Sequence, residues 1–266
     1  MSFVTTAKLA HDLRSLGVAE GSVVLAHVSM SRLGRVIGGE QAVIDALLDV
    51  LGLAGTLVMP SQSWQLCDPA CLNEPDVPRE VWQLVRENLP AYDRTLTPTR
   101  TMGKVAELFR MHPRAVRSAH PHRSFAAVGR HARDIMAVHD LDSPNGERSP
   151  LKAMYDLDAS TLLLGVGHSK STILHLAEHR SGLPTATIPN GAPLVVDGKR
   201  RWVTYDEIVV PDHDFDEVGS AFARDTGLQR SGQVGDTTAL LLPQPPSVDY
   251  AAHWFAEHRP SDPSTR

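Results

Sequence analysis

TLLLGVGHSKSTILHLAEHR, residues 161–180, joins a short apolar run to a helical pattern across two glycines. Leu162, Leu163 and Leu164 are few enough for a buried strand. Gly165-Val166-Gly167 breaks that strand, Ser169 is placed to cap the helix that follows, and Gly182 with Pro184 closes it. Ser171, His175 and Glu178 then share one helix face, and Ile173, Leu174 and Ala177 take the core side. A histidine beside a carboxylate, just past the C-terminal end of a strand, is where open α/β folds place their chemistry. The same spacing suits a packed or solvated histidine. His175, Glu178 and His179 also spell H-x-x-E-H, an inverted zinc-protease signature, so a zinc hydrolase is the competing enzyme reading. Gly165 and Gly167 begin a G-x-G, but Lys170 stands where a dinucleotide fingerprint needs a small residue.

Working outward, the same alternation of strand and helix recurs. Residues 5–16 form an amphipathic helical pattern closed by Gly17, and 22–28 (SVVLAHV) is a strand. A polar loop at 29–34, a helix at about 40–51 and a strand at 56–60 complete a right-handed βαβ unit. Further helices are expected at 79–89, 103–111, 130–138, 151–156, 216–225 and 247–257. FAAVG at 125–129 and a segment near 238–242 add strands, and Asp197-Gly198 turns a hairpin. Residues 62–78, with Trp64, Cys67, Asp68, Cys71, Glu74 and Asp76, form a long irregular insert, a common place for function. No boundary divides the chain. The expectation is one α/β domain over 1–260 with loop and hairpin inserts, and a frayed tail at 261–266.

The chain has 266 residues, 26 basic and 31 acidic, for a net charge of −5. That balance argues against nucleic acid and mildly favours a cationic small partner. Cys67 and Cys71 supply neither a disulfide framework nor a four-ligand zinc site. Charges at Lys8, Asp12 and Arg14 interrupt any leader-like core, and no run approaches a membrane span. The expected setting is a reducing cytoplasm.

Seven stretches, in order, resemble the aminoglycoside 3-N-acetyltransferases. They are LAHVSMSRLGRVIGG (25–39), GTLVMPSQSW (55–64), LTPTRTMGKVAE (96–107), RSAHPHRSFAAVG (117–129), ERSPL (147–151), LLLGVGHSKSTILHLAEHR (162–180) and RRWVTYDE (200–207). Ser171 departs from the pattern, where relatives often carry Asn, and 65–78 and the end after 225 match poorly. The resemblance implies a three-layer α/β/α fold around a central mixed sheet. It implies acetyl transfer from acetyl-CoA, without a metal, to the 3-amino group of the 2-deoxystreptamine ring of an aminoglycoside, and so antibiotic resistance. Such an acceptor is an ammonium that must lose a proton before attacking a thioester, which calls for a base of neutral pKa.

By that resemblance His175 is the base and Glu207 its orienting carboxylate, with Glu178 or Asp206 as the alternatives. Thr172, or a backbone N–H near it, would meet the developing oxyanion. Ser29, Ser31, Leu33, Gly34 and Val36 match the CoA stretch, with Arg32 and Arg35 adding charge and Ser124 on the same wall. Trp64, Asp68, Asp206 and Asp212 lie in the segments expected to hold the polycationic acceptor. A non-enzymatic aminoglycoside-binding protein is the third reading; it would release no CoA thiol.

Overall fold

The structure is a computed structural model and describes residues 3–72, 74–209 and 211–260. The tail expected at 261–266 lies outside them. Short strands β1 (Phe3–Val4) and β3 (Arg35–Val36) pair in parallel beside the main sheet. In chain order the first half adds α1 (Thr6–Leu16), β2 (Val23–Val28), α2 (Gly39–Leu51), β4 (Thr56–Pro60), α3 (Trp82–Asn88), α4 (Gly103–Arg110), β5 (Val116–Arg117) and β6 (Phe125–Gly129). The second half adds α5 (Ala132–Ile135), α6 (Pro150–Asp156), β7 (Ser160–Leu164), α7 (Leu174–Arg180), β8 (Thr187–Val196), β9 (Lys199–Ile208), α8 (Phe215–Thr226), β10 (Arg230–Val234), β11 (Thr237–Pro243) and α9 (Gln244–His258).

The central sheet runs β10-β11-β7-β2-β4-β6-β5. Its middle, β7-β2-β4, is parallel, and both flanks are antiparallel. The sheet is therefore mixed, as expected. Strand β2 shows why it is covered twice. Val24 and Ala26 join the core under α1, α2 and α4, while Val23 and Leu25 join the core under α5 to α9. Successive residues of a strand face opposite sides, so a continuous apolar run needs helices on both faces. Each fully buried Leu or Phe adds about 1.5–3 kcal/mol, and Leu25, Leu57, Phe109, Phe125 and Phe255 are all buried to the limit.

Helix starts and stops follow local chemistry. The Thr5 side chain accepts from Lys8 N and caps α1, and Gly17 ends that helix at φ 108°. Asp197 and Gly198, at φ 50° and 71°, turn the β8–β9 hairpin. Two expectations need correction. The strand β10 was missed, because RSGQV is polar and only Val234 is fully buried; Gly235-Asp236 turns it into β11. Helix α7 begins at Leu174 and not after Ser169, because residues 168–170 form a separate 3-10 turn. Ser169 does not cap it; the Ser169 N–H is bound by Asp216 Oδ1 at 2.8 Å. Among the described residues no helix is long and apolar enough to cross a membrane.

The crossover from β2 through α2 goes to β4 on one side, whereas β7 pairs on the other. The chain therefore leaves the paired C-terminal ends of β2 and β7 at a switch in strand order, the place where open α/β sheets form a crevice for ligands. Gly165, at φ 71°, brings the two ends together. A Cβ there would stand 3.0 Å from Arg32 Cβ, and the Ser29 N–H reaches Leu164 O at 2.9 Å.

Candidate active site

A cleft of about 770 Å³ opens at this crevice, lined by residues of the β2, β4 and β7 ends, the start of α4, and α7. His27, Ser29, Ser31, Trp64, Thr172, His175 and Asp212 all line it. His175 sits in the first turn of α7 with its side chain 15% exposed. Its Nδ1 lies 2.6 Å from Glu178 Oε2. A carboxylate only accepts, so Nδ1 carries a hydrogen, and in the neutral ring Nε2 is the acceptor. The ring rests against Phe215, centroids 4.9 Å apart.

Glu178 is itself held. Its Oε1 accepts from Arg259 Nη1 at 2.6 Å. Arg259 also donates to both oxygens of Asp214, at 2.7 and 2.5 Å, and lies over the Phe255 ring. All three charged side chains are nearly excluded from solvent. Removing one member of such a group leaves buried charge uncompensated, which costs about 3–5 kcal/mol. Arg259→Met should therefore lower stability by about that amount, with Arg259→Lys in between. Urea unfolding at neutral pH would read it, and a loss under 1 kcal/mol would show the carboxylates find other partners.

The carboxylate in contact with His175 is Glu178. Glu207, expected in that position, is instead buried on β9 of the hairpin, where it accepts from Arg123 Nε and from Asn190 Nδ2 at 2.7 Å. Arg123 in turn lines the cleft and lies 4.6 Å over the Trp64 ring. Glu207 shapes the wall of the cleft without touching His175. Asp206, the neighbouring candidate, is exposed on β9.

The other acidic candidates divide. Asp212 is exposed on the cleft lining. Asp68 is not on that lining; it is buried, clamped by Arg86 through two bonds of 2.8 Å, and it caps the turn at Ala70. The acidic-site expectation is corrected accordingly. Lys104, Arg123 and Lys170 line the same cleft as Asp212, and the nearby carboxylates Asp68, Glu178, Glu207 and Asp214 are each matched by an arginine.

The CoA stretch divides too. Ser29 and Ser31 face the cleft with their hydroxyls 3.4 Å apart, on a 3-10 turn at Met30–Arg32. Leu33 is fully buried, Val36 pairs with Val4 in β3, and Gly34 is needed at φ 88° because a Cβ would strike Asp236. Those three hold the loop in place. Arg32 is exposed beside it, outside the cleft lining. The Ser29, Arg32 and Leu33 N–H groups are already bonded within the protein. Ser124 is corrected: it is fully buried, donates to Ser61 O at 2.7 Å and accepts from Arg117. Gly103 and Lys104, at the start of α4, line the cleft and were not singled out, although TMGK stood within a matched stretch.

Thr172 lines the cleft beside His175. The N–H groups of Ser171, Leu174, His175 and Leu176 are bonded to carbonyls three residues back. Both Glu178 oxygens of the H-x-x-E-H stretch are taken, and His179 packs against Gly146.

The sequence and the fold both match known proteins. A family model described as aminoglycoside 3-N-acetyltransferase matches residues 25–256. The chain is 44% identical to the SPbeta prophage-derived aminoglycoside N(3')-acetyltransferase-like protein YokD of Bacillus subtilis, over 94% of this chain and 92% of that one. It is 35% identical to aminoglycoside N(3)-acetyltransferase IX of Micromonospora chalcea, over 95% and 93%. The crystal structure of YokD superposes with a TM-score of 0.93, at 42% identity, covering 97% of this chain and 95% of that one. A structure of AAC-IIIb in binary complex with CoASH superposes at 0.86, with 28% identity, covering 98% and 100%.

Proposed function

The chain belongs to the aminoglycoside 3-N-acetyltransferase family, and from that premise we propose that it moves an acetyl group from acetyl-CoA directly to the 3-amino group of the 2-deoxystreptamine ring of an aminoglycoside. It is an acyltransferase by family. The observation that carries the mechanism is the His175–Glu178 pair on the cleft, with Nε2 of His175 left as an acceptor. The acceptor ammonium gives a proton to Nε2, Glu178 stabilises the imidazolium, and the freed amine attacks the thioester. The N–C bond forms, the C–S bond breaks, and the second proton of the attacking nitrogen passes to the departing thiolate. Ser29, Ser31 and the basic residues Lys104 and Lys170 suit the anionic cofactor. Asp212 suits an ammonium of the acceptor. Residues 1–260 act as one domain, since the two cores pack on opposite faces of one sheet. The work is done in the cytoplasm, where it confers resistance.

Release of CoA thiol across an aminoglycoside panel tests the reading, with mass spectrometry and NMR of the product fixing the acetylated nitrogen. No thiol release with any aminoglycoside would reject it. Replacing the small side chain of Ser31 tests the cofactor assignment. Ser31→Phe should weaken acetyl-CoA binding by calorimetry at least tenfold and largely spare aminoglycoside binding. An unchanged cofactor affinity would move CoA away from this turn.

A further inference from the structure

His27 is the penultimate residue of β2, paired in register with Leu163 of β7. Val23 and Leu25 face the helical layer that contains α7, so the two-residue period of the strand puts the His27 side chain on that side as well. The ring lines the cleft, yet its Nε2 is buried and has no hydrogen-bond partner among the described residues. Buried polar atoms are normally paired, so one left open inside a ligand cleft calls for a ligand. Burial first, then the nearby charges of His175 and Lys170, lowers its pKa to about 3. The ring is therefore a neutral imidazole at any pH where the chemistry runs. It is far too weak a base to deprotonate an ammonium, but it still carries one N–H to donate.

The reaction needs such a donor. When the amine attacks, negative charge develops on the acetyl oxygen, and a fixed donor in a shielded site stabilises it. The backbone N–H groups of Ser171, Leu174, His175 and Leu176 are engaged elsewhere. Lys170 is exposed on a turn. His27 instead sits on a central strand whose position the sheet sets. We propose that His27 donates its ring N–H to the acetyl carbonyl oxygen of acetyl-CoA and holds the oxyanion that forms there. The N–C bond forms as the C=O pair moves onto that oxygen; the pair returns as the C–S bond breaks, and the second proton of the attacking nitrogen passes to the departing thiolate, His175 having taken the first before attack. This rests on the acetyl-transfer reading.

The unmutated protein gives the first test. With ring-nitrogen-labelled histidine, the His27 NMR signal should shift when acetyl-CoA binds and shift less with CoA lacking the acetyl group. It should not titrate between pH 5 and 8. Equal shifts for the two ligands, or a titration near 6.5, would overturn the proposal without any need for turnover. Two variants supply the second test. His27→Phe keeps bulk and removes both nitrogens; kcat should fall about 10²–10³-fold, with both KM values within about threefold and the pH limb unmoved. His27→Asn, which retains a neutral N–H, should recover at least tenfold over Phe. Turnover of the Phe variant within threefold of the parent would overturn the assignment. So would a displaced pH limb, which would make His27 a positioning residue for His175. A parent that releases no thiol with any acceptor fails the acetyl-transfer reading instead, and the NMR comparison still decides His27.

Discussion

His175→Ala should lower kcat by about 10²–10⁴-fold while acetyl-CoA and aminoglycoside still bind. The reasoning is geometric. Nδ1 of His175 is committed to Glu178, the ring lines the cleft, and Nε2 is the lone pair available to an entering amine. In the parent, kcat/KM should rise with pH as protons leave the base and the acceptor. The acceptor amine titrates nearby, so the parent profile alone does not name the residue. The alanine variant separates them: it should lose the enzyme's limb and regain rate at high pH, where the amine deprotonates unaided. Glu178→Gln should cost more turnover than Glu207→Gln, the reverse of what the sequence alone implies. A folded His175→Ala protein with near-normal turnover would remove this mechanism.

The second large effect is acid lability. Three histidines cluster beneath the β8–β9 hairpin, and their partners require neutral rings. His120 Nδ1 accepts the backbone N–H groups of His122 and Arg123, at 3.1 and 3.0 Å, and its Nε2 faces Leu141 O. His139 Nε2 faces Pro144 O at 2.9 Å, and its Nδ1 faces Ser118 Oγ, which already accepts from Phe125 N. His122 Nδ1 faces the Tyr205 hydroxyl at 2.9 Å. Burial lowers His122 and His139 to about 3, and His120 well below its ordinary value. The unfolded chain takes up these protons near pH 6.5 and the folded chain does not. The stability they contribute is therefore present above 6.5 and lost as pH falls below it. Each is worth about 1.4 kcal/mol per pH unit, so the three together approach about 4 kcal/mol per unit. Carboxylates with lowered pKa, such as Glu107 and Glu147, lose their contribution only near and below their ordinary range around 4. Urea midpoints at pH 7.5, 6.5 and 5.5 separate the two windows. A flat stability curve above pH 5 would contradict the neutral cluster, and His120→Asn should reduce the slope by about one proton.

Much of the scaffold was legible because the signals are local. TLVMP and FAAVG are apolar runs cut by Gly or Pro, and both are strands over those residues. Asp-Gly turned the hairpin, and Gly17 ended the first helix. The site was legible where it too is local: His175 and Glu178 are one helical turn apart. It was illegible where the decisive partner is distant. Arg259 lies 81 residues from Glu178, Arg123 lies 84 from Glu207, and Arg86 reaches from α3 to Asp68 in the irregular insert. An acidic run reads the same whether its carboxylates await a cation or already hold one. His27 was invisible for a related reason, since only the sheet register puts it on the cleft side of β2.

The long reach of Arg259 also bears on how the protein comes into being. Synthesis proceeds from the N-terminus at roughly 5–20 residues per second. The 81 residues between Glu178 and Arg259 therefore take roughly 4–16 s to add at that speed. Throughout that interval the growing chain holds His175 and Glu178 without the guanidinium that pairs with Glu178, and α9, which packs on α7, is completed only at its end. Strand β11, which flanks β7, also arrives late. A nascent chain can thus lay down β2, α2 and β4 early, while the His175–Glu178 pair stays unsupported until the closing segment docks. A ribosome stalled before residue 259 would leave a chain whose Glu178 lacks the guanidinium that it meets in the folded protein.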